Sequence, residues 1–144
     1  MTTLNIYLNF LGNCEEAFDF YKSVFGGEFT RVARFSDMPS DGDIGVPAEY
    51  GNKIMHISLP IGDTVLLGSD TGGEWAPHFK QGNNFSISIS VDSQEEADKI
   101  FPKLSEGGHV TMPLQIAFWG AYFGMLTDKF GINWMINCEM RQQG

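Results

Sequence analysis

Two stretches of the sequence match each other at an offset of 80 residues, and they decide the fold: Asn13-Cys14-Glu15-Glu16-Ala17 and Ser93-Gln94-Glu95-Glu96-Ala97. Apolar residues follow each stretch with the i, i+3, i+4, i+7 spacing of an amphipathic helix. Asn13 with Glu16, and Ser93 with Glu96, have the pattern of a capping box, and a glycine pair follows each predicted helix. The sequence therefore predicts two copies of one structural module.

Strands are predicted before and after each helix, which makes the fold class α+β. Apolar and polar residues alternate at 4–11 and at 85–91, so each of these strands has one apolar face to carry a helix and one polar face. Three more strands follow each helix, at about 28–36, 53–59 and 64–69 and at about 110–117, 121–127 and 133–138. The plan is βαβββ twice in a single domain spanning 1–144, with module 1 at about 1–71, a linker at 72–84 and module 2 at about 85–144.

The composition narrows the classes of partner. The 144 residues carry a net charge of −9 and no Lys/Arg cluster, which argues against nucleic acid and anionic membranes as partners. No apolar run is long enough for a membrane span and no leader pattern is present, so we expect a cytoplasmic protein with Cys14 and Cys138 as free thiols. An aromatic content of 13% and seven methionines favour a large apolar interior, a cavity or an oligomer interface.

Several segments resemble the PhnB-like proteins, also described as 3-demethylubiquinone-9 3-methyltransferase-like, a branch of the vicinal-oxygen-chelate superfamily. They are Tyr7–Cys14, Phe20-Tyr21 with Phe25-Gly26, Met55–Leu59, Phe118-Trp119-Gly120 and Thr127–Asn137. The resemblance covers nearly the whole chain. It implies a glyoxalase/bleomycin-resistance-like fold, in which two βαβββ modules form curved mixed sheets around a concave cavity with the helices outside, and it implies a homodimer. The sequence has no strand followed by a Gly-rich turn and helix that could cradle a nucleotide-type methyl donor.

Metal binding is the second implication of the resemblance, because enzymes of the superfamily hold a divalent metal with residues from the first and last strands of each module. The matching positions here are Asn5, Ser86, Leu66 (Leu67 if the register slips by one) and Met135. None is the imidazole or carboxylate that such a metal prefers. We therefore expect no cofactor, with a divalent metal at an unusual position as the alternative.

His56 is the imidazole that falls on a predicted strand, and it shares a strand face with Ser58. One interpretation makes it a hydrogen-bonding group or general base in a cavity. The other makes it a half-buried sheet residue with a backbone partner. The polar faces of the first strands would complete a ligand pocket with Tyr7, Asn9, Ser86 and Ser88, or these residues would simply face solvent on two exposed sheet faces.

An aromatic group near the start of the seventh strand has two interpretations as well. Gln115, Trp119 and Tyr122, with Phe118, would form a wall for a planar or apolar ligand, or they would pack a dimer contact.

Two functions from different classes follow from these observations, and no complete catalytic constellation is visible. The first is a small-molecule-binding protein that lacks the usual metal ligands and takes a small organic ligand as a homodimer. The alternative is a metal-dependent lyase, isomerase or dioxygenase of glyoxalase type, with a non-standard site that includes His56. A fold that serves only as an interaction domain is a third interpretation.

Overall fold

The computed structural model describes residues 2–37, 50–72 and 77–139. The chain divides into an N-terminal unit, Met1–Lys80, and a C-terminal unit, Gln81–Gly144. The division falls in the segment that the sequence predicts as a linker, of which residues 73–76 lie outside the described part.

The N-terminal unit has the strand and helix order that the sequence predicts. Its elements are β1 Ile6–Phe10, α1 Cys14–Phe25, β2 Arg31–Arg34, a short 3-10 turn Phe35–Asp37, β3 Ile54–Ile61 and β4 Thr64–Asp70. The four strands form one sheet in the order β1-β4-β3-β2. β1 runs parallel to β4, and the other neighbours are antiparallel, so the sheet is mixed.

The C-terminal unit repeats this topology. It contains β5 Ile87–Ser90, α2 Gln94–Ser105, β6 His109–Ile116, β7 Ala121–Thr127 and β8 Asn133–Glu139, with the sheet order β5-β8-β7-β6. β5 is parallel to β8 and the remaining pairs are antiparallel. The predicted α+β fold of two βαβββ modules with mixed sheets is therefore confirmed. β5 is shorter than the predicted strand at 85–91, and Phe85 lies before it with most of its side chain exposed.

Each helix packs on its sheet through the same device, an aromatic ring against a strand glycine. In the N-terminal unit, a Cβ added to Gly68 of β4 would lie 2.5 Å from the ring of Phe18 of α1. In the C-terminal unit, a Cβ added to Gly124 of β7 would lie 2.8 Å from the ring of Phe101 of α2. Because real side chains do not approach so closely, glycine at both positions lets the ring lie flat on the strand backbone and brings the helix close.

The two helix starts differ from the prediction and from each other. Ser93 caps α2 as expected, since its hydroxyl accepts the Glu96 backbone N–H at 3.1 Å. The predicted capping box at Asn13 is wrong, because the Asn13 side chain makes no capping hydrogen bond. Instead, a carboxylate from a strand accepts backbone N–H groups at the start of α1.

Asp70 supplies that carboxylate from the end of β4. Its Oδ1 accepts the backbone N–H groups of Gly12 and Cys14, each at 2.9 Å, and its Oδ2 accepts the N–H of Ile54 at 2.9 Å. The side chain is buried, so these three bonds replace its lost hydration. One residue thus joins the turn before α1, the first turn of α1 and the start of β3.

We predict that Asp70→Ala lowers the free energy of unfolding by roughly 3–5 kcal/mol, because three backbone donors lose their acceptor in a buried place. Asp70→Asn should cost less, since it keeps one acceptor oxygen but turns an N–H towards the donor of Ile54. Urea unfolding followed by circular dichroism measures both.

The matched control is Asp63→Ala, which removes an exposed carboxylate from the β3–β4 turn and should change stability by about 0.5 kcal/mol or less. Equal losses for Asp70→Ala and Asp63→Ala would contradict the structural role of Asp70.

Candidate functional site

The helix-free face of the N-terminal sheet is the first candidate surface, and strand register defines it. Leu66 of β4 is buried and pairs with Leu59 of β3 on the side that carries α1. The next residue, Leu67, pairs with Tyr7 of β1 and with Ser58 of β3. Because neighbouring residues of a strand point to opposite faces, these three side chains lie on the face that carries no helix. We call it the N-terminal open face.

Leu66 and Leu67 were the two alternatives for the last-strand metal-ligand position of module 1. The structure puts Leu66 under α1, with 3% of its surface exposed, and Leu67 on the open face. The register that slips by one residue is therefore the one that matches the open face.

His56 lies between two hydroxyl groups on the N-terminal open face. Its Nδ1 is 3.4 Å from the Tyr7 hydroxyl, and its Nε2 is 3.2 Å from the Ser58 hydroxyl. The rings of Tyr7 and His56 are 5.8 Å apart between centroids. Of the two interpretations of His56, the one with a backbone partner does not describe these bonds, because both ring nitrogens face side-chain hydroxyls.

Tyr7, His56 and Ser58 form a chain of hydrogen bonds that can carry a proton in either direction. A neutral imidazole has one donor and one acceptor nitrogen, and each hydroxyl can donate or accept, so both tautomers of His56 satisfy the chain. Tyr7 is 44% exposed and His56 is half-buried, so a bound molecule can reach the chain from solvent. Chemically, the arrangement can hydrogen-bond an oxygen-bearing ligand and can exchange a proton with it.

The C-terminal sheet has an aromatic cluster on its own helix-free face. Gln115 of β6 pairs with Phe123 of β7, and the Trp119 ring is 5.3 Å from the Phe123 ring. Phe118 lies beside Trp119 at 5.0 Å in an edge-to-face arrangement. Phe118 is 97% exposed and Trp119 is 53% exposed, whereas Phe123 is buried. Sequence reasoning missed Phe123, although strand alternation places it with Gln115.

Tyr122 does not belong to this cluster, which corrects the prediction that grouped it with Gln115 and Trp119. It precedes Gly124 by two residues, and Gly124 contacts α2, so Tyr122 lies on the helix side of β7. Its hydroxyl donates a hydrogen bond of 2.6 Å to Oδ1 of Asp98 in α2. The carboxylate of Asp98 raises the pKa of Tyr122, because it accepts the phenol proton and its negative charge opposes a phenolate.

The remaining predicted pocket residues are exposed, and their binding role stays a prediction. Asn9 pairs with Ser69 near the end of β4, and Ser88 pairs with Met135 of β8. Ser86 lies just before β5. In each unit these residues share the helix-free face, as strand alternation predicts.

The positions that match the superfamily's metal ligands do not suit a divalent metal in this chain. Asn5 offers an amide, Leu67 a hydrocarbon, Ser86 a hydroxyl and Met135 a thioether, and none of them is an imidazole or a carboxylate. Across residues 2–37, 50–72 and 77–139, no three His, Cys, Asp or Glu side chains lie close enough together to hold a metal ion. These side chains therefore do not fit a divalent metal, and we assign no reaction step to one.

Two other groups that could be reactive, Asp128 and Cys14, are buried and have structural roles. Asp128 is buried and accepts the N–H groups of Phe130 and Ile132 and the indole N–H of Trp134, all within 3.0 Å. Cys14 is buried at the start of α1, and burial, followed by the charges of Asp70 and Glu15, raises the pKa of its thiol. The Cys14 thiol therefore stays protonated and is a poor nucleophile.

Of the helices described here, none is long and apolar enough to cross a membrane.

The chain is similar to a known protein family, to a protein of known sequence and to several solved structures. Residues 2–137 match the family described as 3-demethylubiquinone-9 3-methyltransferase. Protein YjdN of Escherichia coli strain K12 is 31% identical over 142 residues, covering 96% of this chain and 97% of that protein. The crystal structure of protein PA1353 from Pseudomonas aeruginosa is similar with a TM-score of 0.78 at 42% identity, covering 95% of this chain and 98% of the other.

Two further solved structures show the fold. The PhnB protein of Bacillus cereus has a TM-score of 0.74 at 24% identity, over 95% of this chain and 99% of its own. A glyoxalase/bleomycin resistance protein/dioxygenase family enzyme from Burkholderia phytofirmans PsJN has a TM-score of 0.59 at 18% identity, over 92% and 95% of the two chains. The PhnB-like resemblance and the glyoxalase/bleomycin-resistance fold are thereby confirmed.

We predict that Asp98→Asn lowers the pKa of Tyr122 towards the ordinary tyrosine value of about 10, because the variant removes the charge that opposes the phenolate. NMR titration of the chain with ¹³C-labelled tyrosine follows each ring separately. Tyr50, whose pKa is raised by burial and by the charge of Asp70 rather than by Asp98, is the internal control and should titrate alike in both proteins. An unchanged Tyr122 titration in Asp98→Asn would contradict its place on the helix side.

Proposed function

The chain belongs to the 3-demethylubiquinone-9 3-methyltransferase family, and from that premise we propose that it is a small-molecule-binding protein of the glyoxalase/bleomycin-resistance superfamily. The observation that carries the proposal is the hydrogen-bonded chain of Tyr7, His56 and Ser58 on a sheet face without a helix. A small organic ligand with a hydroxyl or carboxylate would hydrogen-bond to this chain. Asn9 lies further along the same face of β1 and would contribute at its edge.

Binding is favoured over metal-dependent lyase, isomerase or dioxygenase chemistry by the donor set. His56 would be the imidazole ligand in that alternative, but the groups at its two ring nitrogens are hydroxyls. A catalytic zinc site needs about three protein ligands from imidazole, carboxylate or thiolate groups. We therefore favour binding without a resident metal or other cofactor.

Methyl transfer, which the family's description names, finds little support in the N-terminal unit. A nucleotide-type donor is commonly held by free backbone N–H groups at a strand–helix turn. In this chain the turn between β1 and α1 is short, and its N–H groups at Gly12 and Cys14 already bond to the Asp70 carboxylate. These two N–H groups are therefore not available to a cofactor phosphate or carboxylate.

The C-terminal unit supports the proposal through its aromatic cluster. The exposed rings of Phe118 and Trp119 can contact a planar or apolar group, and Gln115 offers an amide on the neighbouring strand. Ser86 and Ser88 provide hydroxyls on the same unit's open face. A cytoplasmic location is part of the proposal and rests on the two buried free thiols, Cys14 and Cys138.

We also propose that the protein is a homodimer, because Phe118, Trp119 and Ile116 leave an exposed apolar patch at the β6–β7 turn. Light scattering should give about twice the chain mass of 16.0 kDa at micromolar concentration. Phe118→Ser should shift the equilibrium towards the monomer, and Val110→Ser, at another exposed apolar position of β6, is the control. A native particle of one chain mass throughout the micromolar range would remove the dimer.

The function itself is tested with His56→Ala. We predict that the variant folds, because the Tyr7 and Ser58 hydroxyls can bond to water when the imidazole is removed. It should lose the thermal stabilisation given by any compound that a metabolite library screen identifies with the native chain. His109→Ala removes an exposed imidazole at the start of β6 and should keep that stabilisation. A His56→Ala variant that binds every hit as tightly as the native chain would remove His56 from the site.

A further inference from the structure

Arg31 places a positive charge on the N-terminal open face. It lies on β2 and pairs directly with Ser58 of β3, and the next open-face pair along these strands is Ala33 with His56. Directly opposite residues of an antiparallel pair have Cβ atoms about 4.5–5.5 Å apart, and diagonal neighbours are about 7–8 Å apart. A side chain as long as arginine spans both distances, so its guanidinium can reach a group bound at Ser58 and His56.

Arg34, on the same strand, has its positive charge balanced by a carboxylate partner. It makes two hydrogen bonds to the Glu15 carboxylate, at 2.9 and 2.7 Å, and a third to the Asn52 carbonyl at 2.7 Å. The Arg34 side chain lowers the pKa of Glu15 through that hydrogen bond. Arg34 is therefore occupied as an ion-pair partner of α1.

Arg31, by contrast, is exposed and has no hydrogen bond or ion pair with any residue in the described ranges. The open-face positions of the four strands also carry no carboxylate within those ranges. The positions are Tyr7 and Asn9 on β1, Val65, Leu67 and Ser69 on β4, His56, Ser58 and Pro60 on β3, and Arg31 and Ala33 on β2. A free guanidinium beside a chain of hydroxyl and imidazole donors, with no acid among them, has the chemistry of an anion site.

We propose that the N-terminal open face binds a small organic acid, whose oxyanion lies between the Arg31 guanidinium and the Ser58–His56–Tyr7 chain. The planar fork of arginine can donate two parallel hydrogen bonds to a carboxylate or a phosphate. Within the chain, the imidazole N–H donates to one hydroxyl and the other hydroxyl donates to the imidazole, so the hydroxyl that accepts from the ring can donate its own proton to a remaining oxygen atom of the ligand. The inference rests on the proposed function and adds the chemical class of the ligand.

The net charge of the whole chain opposes anion binding, so an acid needs a local positive charge on the protein. With 18 acidic residues against nine basic ones, the protein repels anions over most of its surface. A positive group such as the Arg31 guanidinium offsets that repulsion for a bound acid, whereas a neutral molecule of the same shape gains no such attraction from it.

The test uses matched probes: benzoate, its neutral isostere benzamide, and phenyl phosphate. Binding is followed by NMR of the full chain with labelled histidine, so that His56 reports on the site while His78 and His109 serve as internal controls. We expect both acids to shift the His56 signals and to bind roughly tenfold more tightly than benzamide, since a hydrogen bond to a charged group is stronger than a neutral one. The tighter acid identifies the preferred oxyanion, carboxylate or phosphate.

Arg31→Gln should reduce acid binding roughly tenfold, to the level of benzamide, with little change in benzamide binding. Lys99→Gln, which removes one exposed positive charge from α2, is the matched control and should leave all three affinities unchanged. Circular dichroism checks that Arg31→Gln folds, as expected for a side chain without partners among the described residues.

Three results would overturn the inference: neither acid shifts His56 at about 10 mM, a concentration that detects even weak binding; benzamide binds as well as benzoate; or Arg31→Gln keeps the native preference for acids. Failure of the proposed function looks different. If a library compound binds through His56 while acids are not preferred, the binding function stands and only the ligand class is wrong.

Discussion

The buried carboxylate of Asp70 is the interaction on which the N-terminal unit depends. It ends β4, and its oxygen atoms hold the turn after β1, the first turn of α1 and the start of β3. β4 lies between β1 and β3 in the sheet, so the same residue keeps both neighbours aligned at one end. That alignment brings Tyr7 of β1 across β4 to His56 of β3. The open-face chemistry therefore depends on a bond network on the other face of the sheet.

The two units share one strand topology but differ in the side chains of their helix-free faces. Their helix sides are alike, with Phe18 on Gly68 in one and Phe101 on Gly124 in the other. Their helix-free faces differ, because one carries hydroxyls, an imidazole and the exposed Arg31 guanidinium, and the other carries serines and exposed aromatic rings. Packing constrains the buried side of a sheet, whereas the open side is free to vary. The differences between the units therefore lie where a ligand would bind.

The two corrections to the sequence predictions have one cause, which is that a local pattern cannot show competition from a distant residue. Asn13 has the residue type and spacing of a helix cap, but its side chain makes no capping bond, and Asp70, 57 positions later in the chain, accepts the N–H groups on either side of it, those of Gly12 and Cys14. Tyr122 is close in sequence to Trp119, but a turn and a single step along β7 place it on the other face, where Asp98 of α2 accepts its proton. For Asn13 the predicted capping bond was wrong, and for Tyr122 the predicted place beside Gln115 and Trp119 was wrong.

The sequence by itself determined the βαβββ repeat, the helix and strand order and the residues that alternate between the two faces of each strand. These properties depend on periods of two and 3.6 residues, which are visible within a few neighbours along the chain. The sequence also showed that His56 shares a face with Ser58, since both lie on one strand. Only the tertiary structure decided that Tyr7 completes this group and that Leu67 and not Leu66 lies on the open face. It also decided that Arg34 is paired with Glu15, whereas the Arg31 side chain has no partner among the described residues. Those outcomes depend on strand order and on the register between strands, which are set by contacts between residues far apart in the chain.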